Sequence, residues 1–163
     1  MGADLQLLES LARWRGSNAV ILGIGSTLKG DDAAGLLVCE YLSGKVPARV
    51  IDAGTVPENY IGPIRDASPE VLFIVDAVDF GGYPGQIRVF APEQIHRLAF
   101  STHALSLHLS LDLIRRERKL EAYVIGIQAA RTKLGDGVSS PVRKAVETLV
   151  DTLTGLLQPN QRQ

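Results

Sequence analysis

The sequence is poor in cysteine and has no long hydrophobic run. Cys39 is the only cysteine among 163 residues, so the chain cannot form an internal disulfide or a thiolate-rich metal site, and it suits a reducing compartment. No apolar run approaches the roughly 20 residues of a membrane-spanning helix. Charged side chains interrupt the leucines of residues 1–16, unlike the apolar core of a signal peptide. We therefore expect a soluble, cytoplasmic protein with no membrane insertion, and a buried Cys39.

Net charge is also low. There are 17 basic and 18 acidic residues, which give a formal net charge of −1, and the basic residues are scattered along the chain. The basic patch of a nucleic-acid-binding protein is missing, which excludes nucleic acid as the expected partner. No repeat or Pro-rich linker divides the chain. We expect a monomer with a single domain over residues 1–163, an N-terminal helix over 1–16 and a loose tail over 158–163.

Strand and helix patterns alternate along the chain. Short apolar runs rich in β-branched residues predict buried strands at residues 18–25, 49–54, 71–77 and 123–127. Segments of helical character lie between and after them, at residues 32–44, 58–66, 103–118 and 141–157, with Ser140 as cap and Pro141 as first residue of the last helix. Residues 85–90 follow the third strand too closely for a helical crossover, which predicts an antiparallel strand near an edge. The expected fold is α/β, a three-layer αβα sandwich around a mostly parallel twisted sheet.

Polar residues follow these strands at the edge where ligands bind in open α/β sheets. Asp31 and Asp32 follow the first strand, the third strand ends in Ile74-Val75-Asp76-Ala77, and His103 opens the next long helix. Two carboxylates and an imidazole suit a borderline divalent ion such as zinc or nickel and leave coordination positions open. A metal held in this way can polarise a carbonyl group or activate a water molecule.

Each of these residues also has a structural interpretation. Asp31 or Asp32 could cap a helix, which is worth about 1 kcal/mol. Asp76 could bind backbone amides of the following loop, and His103 could be an ordinary first-turn residue. A dinucleotide site is disfavoured, because Leu28 stands where the third glycine of the fingerprint would fall, and adjacent carboxylates would repel a phosphate.

Several motifs occur in a fixed order between about residue 20 and residue 149. They are Ile21-Leu22-Gly23-Ile24-Gly25, Gly30-Asp31-Asp32-Ala33-Ala34-Gly35, Asp52-Ala53-Gly54-Thr55-Val56-Pro57-Glu58-Asn59, Ile74-Val75-Asp76-Ala77, Pro84-Gly85, Ser101-Thr102-His103 and Gly126-Ile127-Gln128. In these motifs the chain closely resembles the hydrogenase maturation endopeptidase family, particularly the branch that acts on hydrogen-evolving nickel-iron hydrogenases. The chain departs from many relatives at Ser26, where they carry Asn, and at Ala129, where they carry Pro.

The resemblance implies a five-stranded sheet and an endopeptidase that removes the C-terminal peptide of a nickel-iron hydrogenase large-subunit precursor after nickel insertion. By motif, the metal-contacting set falls on Asp32, Asp76 and His103. The nickel would be supplied by the substrate, so we expect no permanently bound cofactor.

The family has no cysteine or serine nucleophile, so we expect water to attack a carbonyl near the nickel, with Asp76 or Asp32 as the catalytic base. We assign substrate binding to Asp31 and Gln128. Two other functions stay open at this point, namely a nickel-checking chaperone without hydrolysis and a metal-dependent hydrolase of a small substrate.

Overall fold

The computed structural model describes residues 2–91, 94 and 104–159, excepting the side chains of residues 2–5, 104–107 and 110. Within these residues the strands are β1 (Ala19–Gly23), β2 (Arg49–Asp52), β3 (Val71–Val78), β4 (Ile87–Phe90) and β5 (Glu121–Gln128). The helices are α1 (Gly2–Leu11), α2 (Ala34–Leu42), α3 (Ile61–Ala67), α4 (Ala104–Glu117) and α5 (Ser140–Leu157). No helix in this part of the chain is long and apolar enough to cross a membrane.

The strands form one sheet in the order β2-β1-β3-β5-β4. Neighbouring strands are parallel except β4, which runs antiparallel to β5 at the edge. This confirms the predicted five-stranded, mostly parallel sheet and the antiparallel strand near an edge. The carboxyl ends of β1, β2, β3 and β5 therefore lie together, and the loop that joins β3 to β4 lies at that same edge.

Side chains alternate between the two faces of the sheet, as the pleat of a strand requires. Ile21 and Phe73 pack with α1, α2 and α5 on one face, while Leu22 and Ile74 pack with α3 and α4 on the other. Both faces are covered by helices, which explains why the sequences of the strands are continuous apolar runs. The predicted three-layer αβα arrangement is confirmed.

Some boundaries differ from the predicted ones. The helix predicted from residue 32 begins at Ala34, after a 3-10 turn over Gly30–Ala33. The predicted cap of the last helix is wrong, because the N-cap residue is Ser139 and Ser140 is the first helical residue. The N-terminal helix ends at Leu11 and a 3-10 turn follows over Ala12–Trp14. Most of the tail predicted over 158–163 lies outside the described residues.

Helix α2 lies unusually close to the sheet. A Cβ atom added to Gly35 would lie 2.6 Å from the backbone oxygen of Ile24 and even closer to that of Val75. Only a residue without a side chain allows this approach, which brings the start of α2 against the ends of β1 and β3. The position of Asp32, just before α2, depends on this close approach of the helix to the sheet.

We expect Gly35→Ala to lower the free energy of unfolding by about 2–3 kcal/mol, since the added methyl group would force α2 away from the backbone of the sheet. The matched control is Gly155→Ala in α5, where a Cβ atom would meet nothing within 4 Å; there alanine should stabilise by about 0.5–1 kcal/mol. Urea unfolding of both variants measures the difference. Equal effects of the two substitutions would contradict the close packing of α2.

Candidate active site

The loops at the carboxyl edge are joined to the neighbouring strands by backbone hydrogen bonds. Ile24 N–H donates to the oxygen of Val75 at 3.0 Å, and Gly25 N–H donates to the oxygen of Gly54 at 2.8 Å. The N–H of Ala53 donates to the oxygen of Gly23 at 2.9 Å. These bonds hold the segments that follow β1 and β2 in fixed positions beside β3.

Asp76 and Asp32 are brought together at this edge. Asp76 lies within β3 opposite Gly126 of β5 and is only 8% exposed, whereas Asp32 is half-buried in the 3-10 turn before α2. Burial raises the pKa of Asp76 well above its usual value, the negative charge of Asp32 raises it further, and the N–H of Ala77 lowers it slightly. The charge of Asp32 thus acts on Asp76 at this edge, and the predicted convergence of both acids with His103 stays a prediction.

The side chain of Asp31 is fully buried. Its carboxylate accepts hydrogen bonds from the backbone N–H groups of Ala130 at 2.8 Å and Arg131 at 3.1 Å. Ser139 donates twice more, from its N–H at 2.6 Å and its hydroxyl at 2.8 Å. Asp31 thus binds the loop between β5 and α5 and does not cap a helix, so the capping alternative is wrong for this residue. A direct contact of Asp31 with substrate stays a prediction.

Gln128, at the end of β5, is also a buried polar residue and is 6% exposed. Its Oε1 accepts hydrogen bonds from Phe80 N–H at 2.9 Å and Gly82 N–H at 3.1 Å. Its Nε2 donates to Asp79 Oδ1 at 3.2 Å. The side chain therefore fixes the loop between β3 and β4, and the predicted contact of Gln128 with substrate stays a prediction.

His103 lies outside the described residues, immediately before the first residue of α4. Among the residues that the structure does describe, no three acidic, histidine or cysteine side chains form a group that could hold a metal. The acid pair is thus an incomplete ligand set within this part of the chain. In α4, Nε2 of His108 lies 3.5 Å from Oδ2 of Asp112.

Cys39 is buried, as expected. Burial raises the pKa of its thiol to about 12, with a smaller contribution from the charge of Asp52 against an opposing hydrogen bond from Gly23. Its Sγ lies 3.4 Å from the oxygen of Ile51, to which it donates. A thiol that stays protonated at neutral pH is not a nucleophile, so Cys39 has the properties of a core residue.

The sequence did not reveal the hydrogen-bond partners of Asp31 and Gln128. Ser139 and Asp79 belong to no motif. Ser139 lies 108 positions from Asp31, and Asp79 lies 49 positions from Gln128. A weak local signal existed for Asp79, because Gly81 follows two positions later and its N–H donates to the Asp79 carboxylate at 3.2 Å.

Known proteins share this architecture. The family model described as hydrogenase maturation protease matches residues 38–156. The chain is 35% identical over 139 residues to the hydrogenase 3 maturation protease of Escherichia coli, covering 83% of this chain and 88% of that protein. Its fold matches the crystal structure of the nickel-iron hydrogenase maturation protease HycI from Thermococcus kodakarensis with a TM-score of 0.82 and 32% identity, over 93% of this chain and 99% of that one.

The solution structure of the endopeptidase HycI from Escherichia coli also matches, with a TM-score of 0.76 and 33% identity, over 88% of this chain and 94% of that one. These similarities define a small α/β endopeptidase. The chain belongs to the hydrogenase maturation protease family. That assignment disfavours both the chaperone without hydrolysis and the hydrolase of a small substrate.

We expect Asp31→Asn to lower the free energy of unfolding by about 2–4 kcal/mol at neutral pH, since an amide cannot accept all four hydrogen bonds of the buried carboxylate. Burial raises the pKa of Asp31, but the bonds from Ser139, Ala130 and Arg131 outweigh it, so the folded pKa lies below the ordinary 3.8. The ionised form therefore stabilises the fold fully above pH 3.8, and this contribution is lost as the pH falls through the folded pKa.

Denaturant unfolding between pH 7 and pH 3 measures this effect, and the deficit of Asp31→Asn relative to the wild type should shrink at the acidic end. The control is Asp151→Asn, which changes an exposed aspartate of α5 and should alter stability by less than about 0.5 kcal/mol. A deficit that stays constant with pH would show that the charge of Asp31 is not what holds the two loops together.

Proposed function

We propose that this endopeptidase removes the C-terminal peptide of a nickel-iron hydrogenase large-subunit precursor that already carries nickel. The observation that carries the proposal is the acid pair of Asp32 and Asp76 at the carboxyl edge of the sheet. The similar protein of Escherichia coli is named for the maturation of hydrogenase 3, which supports a hydrogenase subunit as the substrate here.

The proposal assigns Asp32, Asp76 and His103 to contact with the nickel of the substrate. Carboxylate and imidazole donors suit this borderline ion. Helix α4 runs from Ala104 to Glu117 and is followed by β5. Its first turn therefore lies towards the carboxyl edge of the sheet, which supports the inclusion of the preceding His103. An incomplete ligand set suits a protein that recognises a metal bound to its substrate and does not retain the ion itself.

Asp76 is the better suited of the two acids to accept a proton from the attacking water. Its pKa is raised by burial and by the charge of Asp32, and a carboxylate with a raised pKa is a stronger proton acceptor. In this scheme, water adds to the scissile carbonyl carbon while its proton passes to Asp76. The carbon–nitrogen bond then breaks as that proton passes to the leaving amine.

The test is incubation of the purified protein with nickel-loaded and with nickel-free precursor, followed by mass spectrometry of the precursor. We expect loss of a C-terminal peptide from the loaded form only. The variants Asp32→Asn, Asp76→Asn and His103→Ala should reduce the rate by about 100-fold or more, while Asp151→Asn should cleave normally.

Each part of the proposal can fail separately. Cleavage of neither form would overturn the proposed substrate. Equal cleavage of both forms would retain the protease but remove the role of Asp32, Asp76 and His103 in nickel recognition. Normal processing by all three variants would refute the site assignment, and a stoichiometric metal ion in the purified protein would contradict a nickel supplied by the substrate.

A further inference from the structure

Each loop that follows a strand at the carboxyl edge exposes one large apolar side chain. Leu28 follows β1 and is 65% exposed, Val56 follows β2 and is 40% exposed, Tyr83 follows β3 and is 61% exposed, and Leu134 follows β5 and is 75% exposed. We call these four side chains the apolar rim. Isolated exposed apolar residues are common on protein surfaces, but here the same feature recurs on each of the four described loops that follow β1, β2, β3 and β5 at the carboxyl edge.

Leu28 and Leu134 form the most exposed and best anchored part of the apolar rim. The N–H of Gly135, the neighbour of Leu134, donates to the oxygen of Leu28 at 2.9 Å. The same two loops are joined again where Asp31 N–H donates to the oxygen of Arg131 at 2.9 Å and where the Asp31 carboxylate binds Ala130 and Ser139. The two leucines are thus held on one fixed platform, and a fixed platform loses little conformational entropy when a partner binds.

The apolar rim extends across four of the five strands of the sheet. Neighbouring strands lie about 4.8 Å apart, so the loops that follow β2 and β5 are separated by about 15 Å across the sheet. Lys29, Arg131 and Lys133 are exposed on the same loops as Leu28 and Leu134. Their positive charge would favour a partner surface that is acidic around an apolar centre.

We propose that the apolar rim, centred on Leu28 and Leu134, is the docking surface for the folded body of the precursor, while the C-terminal tail of the precursor enters towards Asp32 and Asp76. The inference rests on the proposed function. A protein whose tail is cut at this edge must bring its body against the surrounding loops. A second copy of this chain on the same surface would cover the acid pair and exclude the substrate, so the precursor is the occupant.

The test is the double variant Leu28→Ser/Leu134→Ser, with steady-state cleavage of nickel-loaded precursor as the readout. Because both side chains are exposed, the variant should fold with an unchanged melting temperature. We expect KM to rise about tenfold or more with kcat unchanged within about twofold, because docking is weakened and the acid pair is intact. The matched control is Leu113→Ser, which changes a leucine of α4 that is 53% exposed and lies in the half of that helix away from the carboxyl edge.

The affinity of the precursor for the Asp76→Asn protein, with and without the two rim substitutions, is measured in parallel by calorimetry. If the wild type cleaves and the double variant keeps the wild-type KM and affinity, the docking proposal is overturned while the proposed function stands. If the wild type binds the precursor through the rim but does not cleave it, the proposed function fails and the docking surface stands. A wild-type dimer that the double variant dissociates, measured by sedimentation, would overturn the proposal in favour of self-association.

Discussion

The buried carboxylate of Asp31 is the interaction on which the site depends. It joins the loop before α2 to the loop before α5, and its bond to Ala130 spans 99 positions of the chain. This carboxylate accepts four hydrogen bonds. Together these bonds outweigh the free-energy cost of burying its charge. Because Asp32 is its neighbour and Leu28 and Leu134 lie on the joined loops, the same carboxylate helps to position both the acid pair and the apolar rim.

The close approach of α2 to the sheet supplies the second constraint. Gly35 allows the helix backbone to contact the backbone at Ile24 and Val75, so Asp32 is held next to the end of β3. Asp76 then lies buried beside a like charge, an arrangement that disfavours its ionised form. Groups whose pKa is shifted strongly by burial and by a like charge are concentrated at functional sites.

Local patterns predicted the architecture because each element carries its own signal. The apolar runs at β1 and β3 and the apolar stripe of α5 set the fold. Asp32 lies in the turn that follows β1 and Asp76 lies near the end of β3, so both were expected at the carboxyl edge of the parallel sheet. The role of Asp31 could not be predicted in this way, since its partners Ala130 and Ser139 are backbone and hydroxyl donors with no pattern in the sequence. The same holds for Gln128, whose partners depend on how the loop between β3 and β4 folds back onto β5.

A carboxyl-carbon NMR titration of Asp76 tests the electrostatic coupling of Asp32 and Asp76 most directly. In the wild type the pKa of Asp76 should lie well above its ordinary value of 3.8, and Asp32→Asn should lower it while burial keeps it raised. An Asp76 that titrates near 3.8, or a raised pKa that does not respond to Asp32→Asn, would contradict a buried Asp76 beside the charge of Asp32.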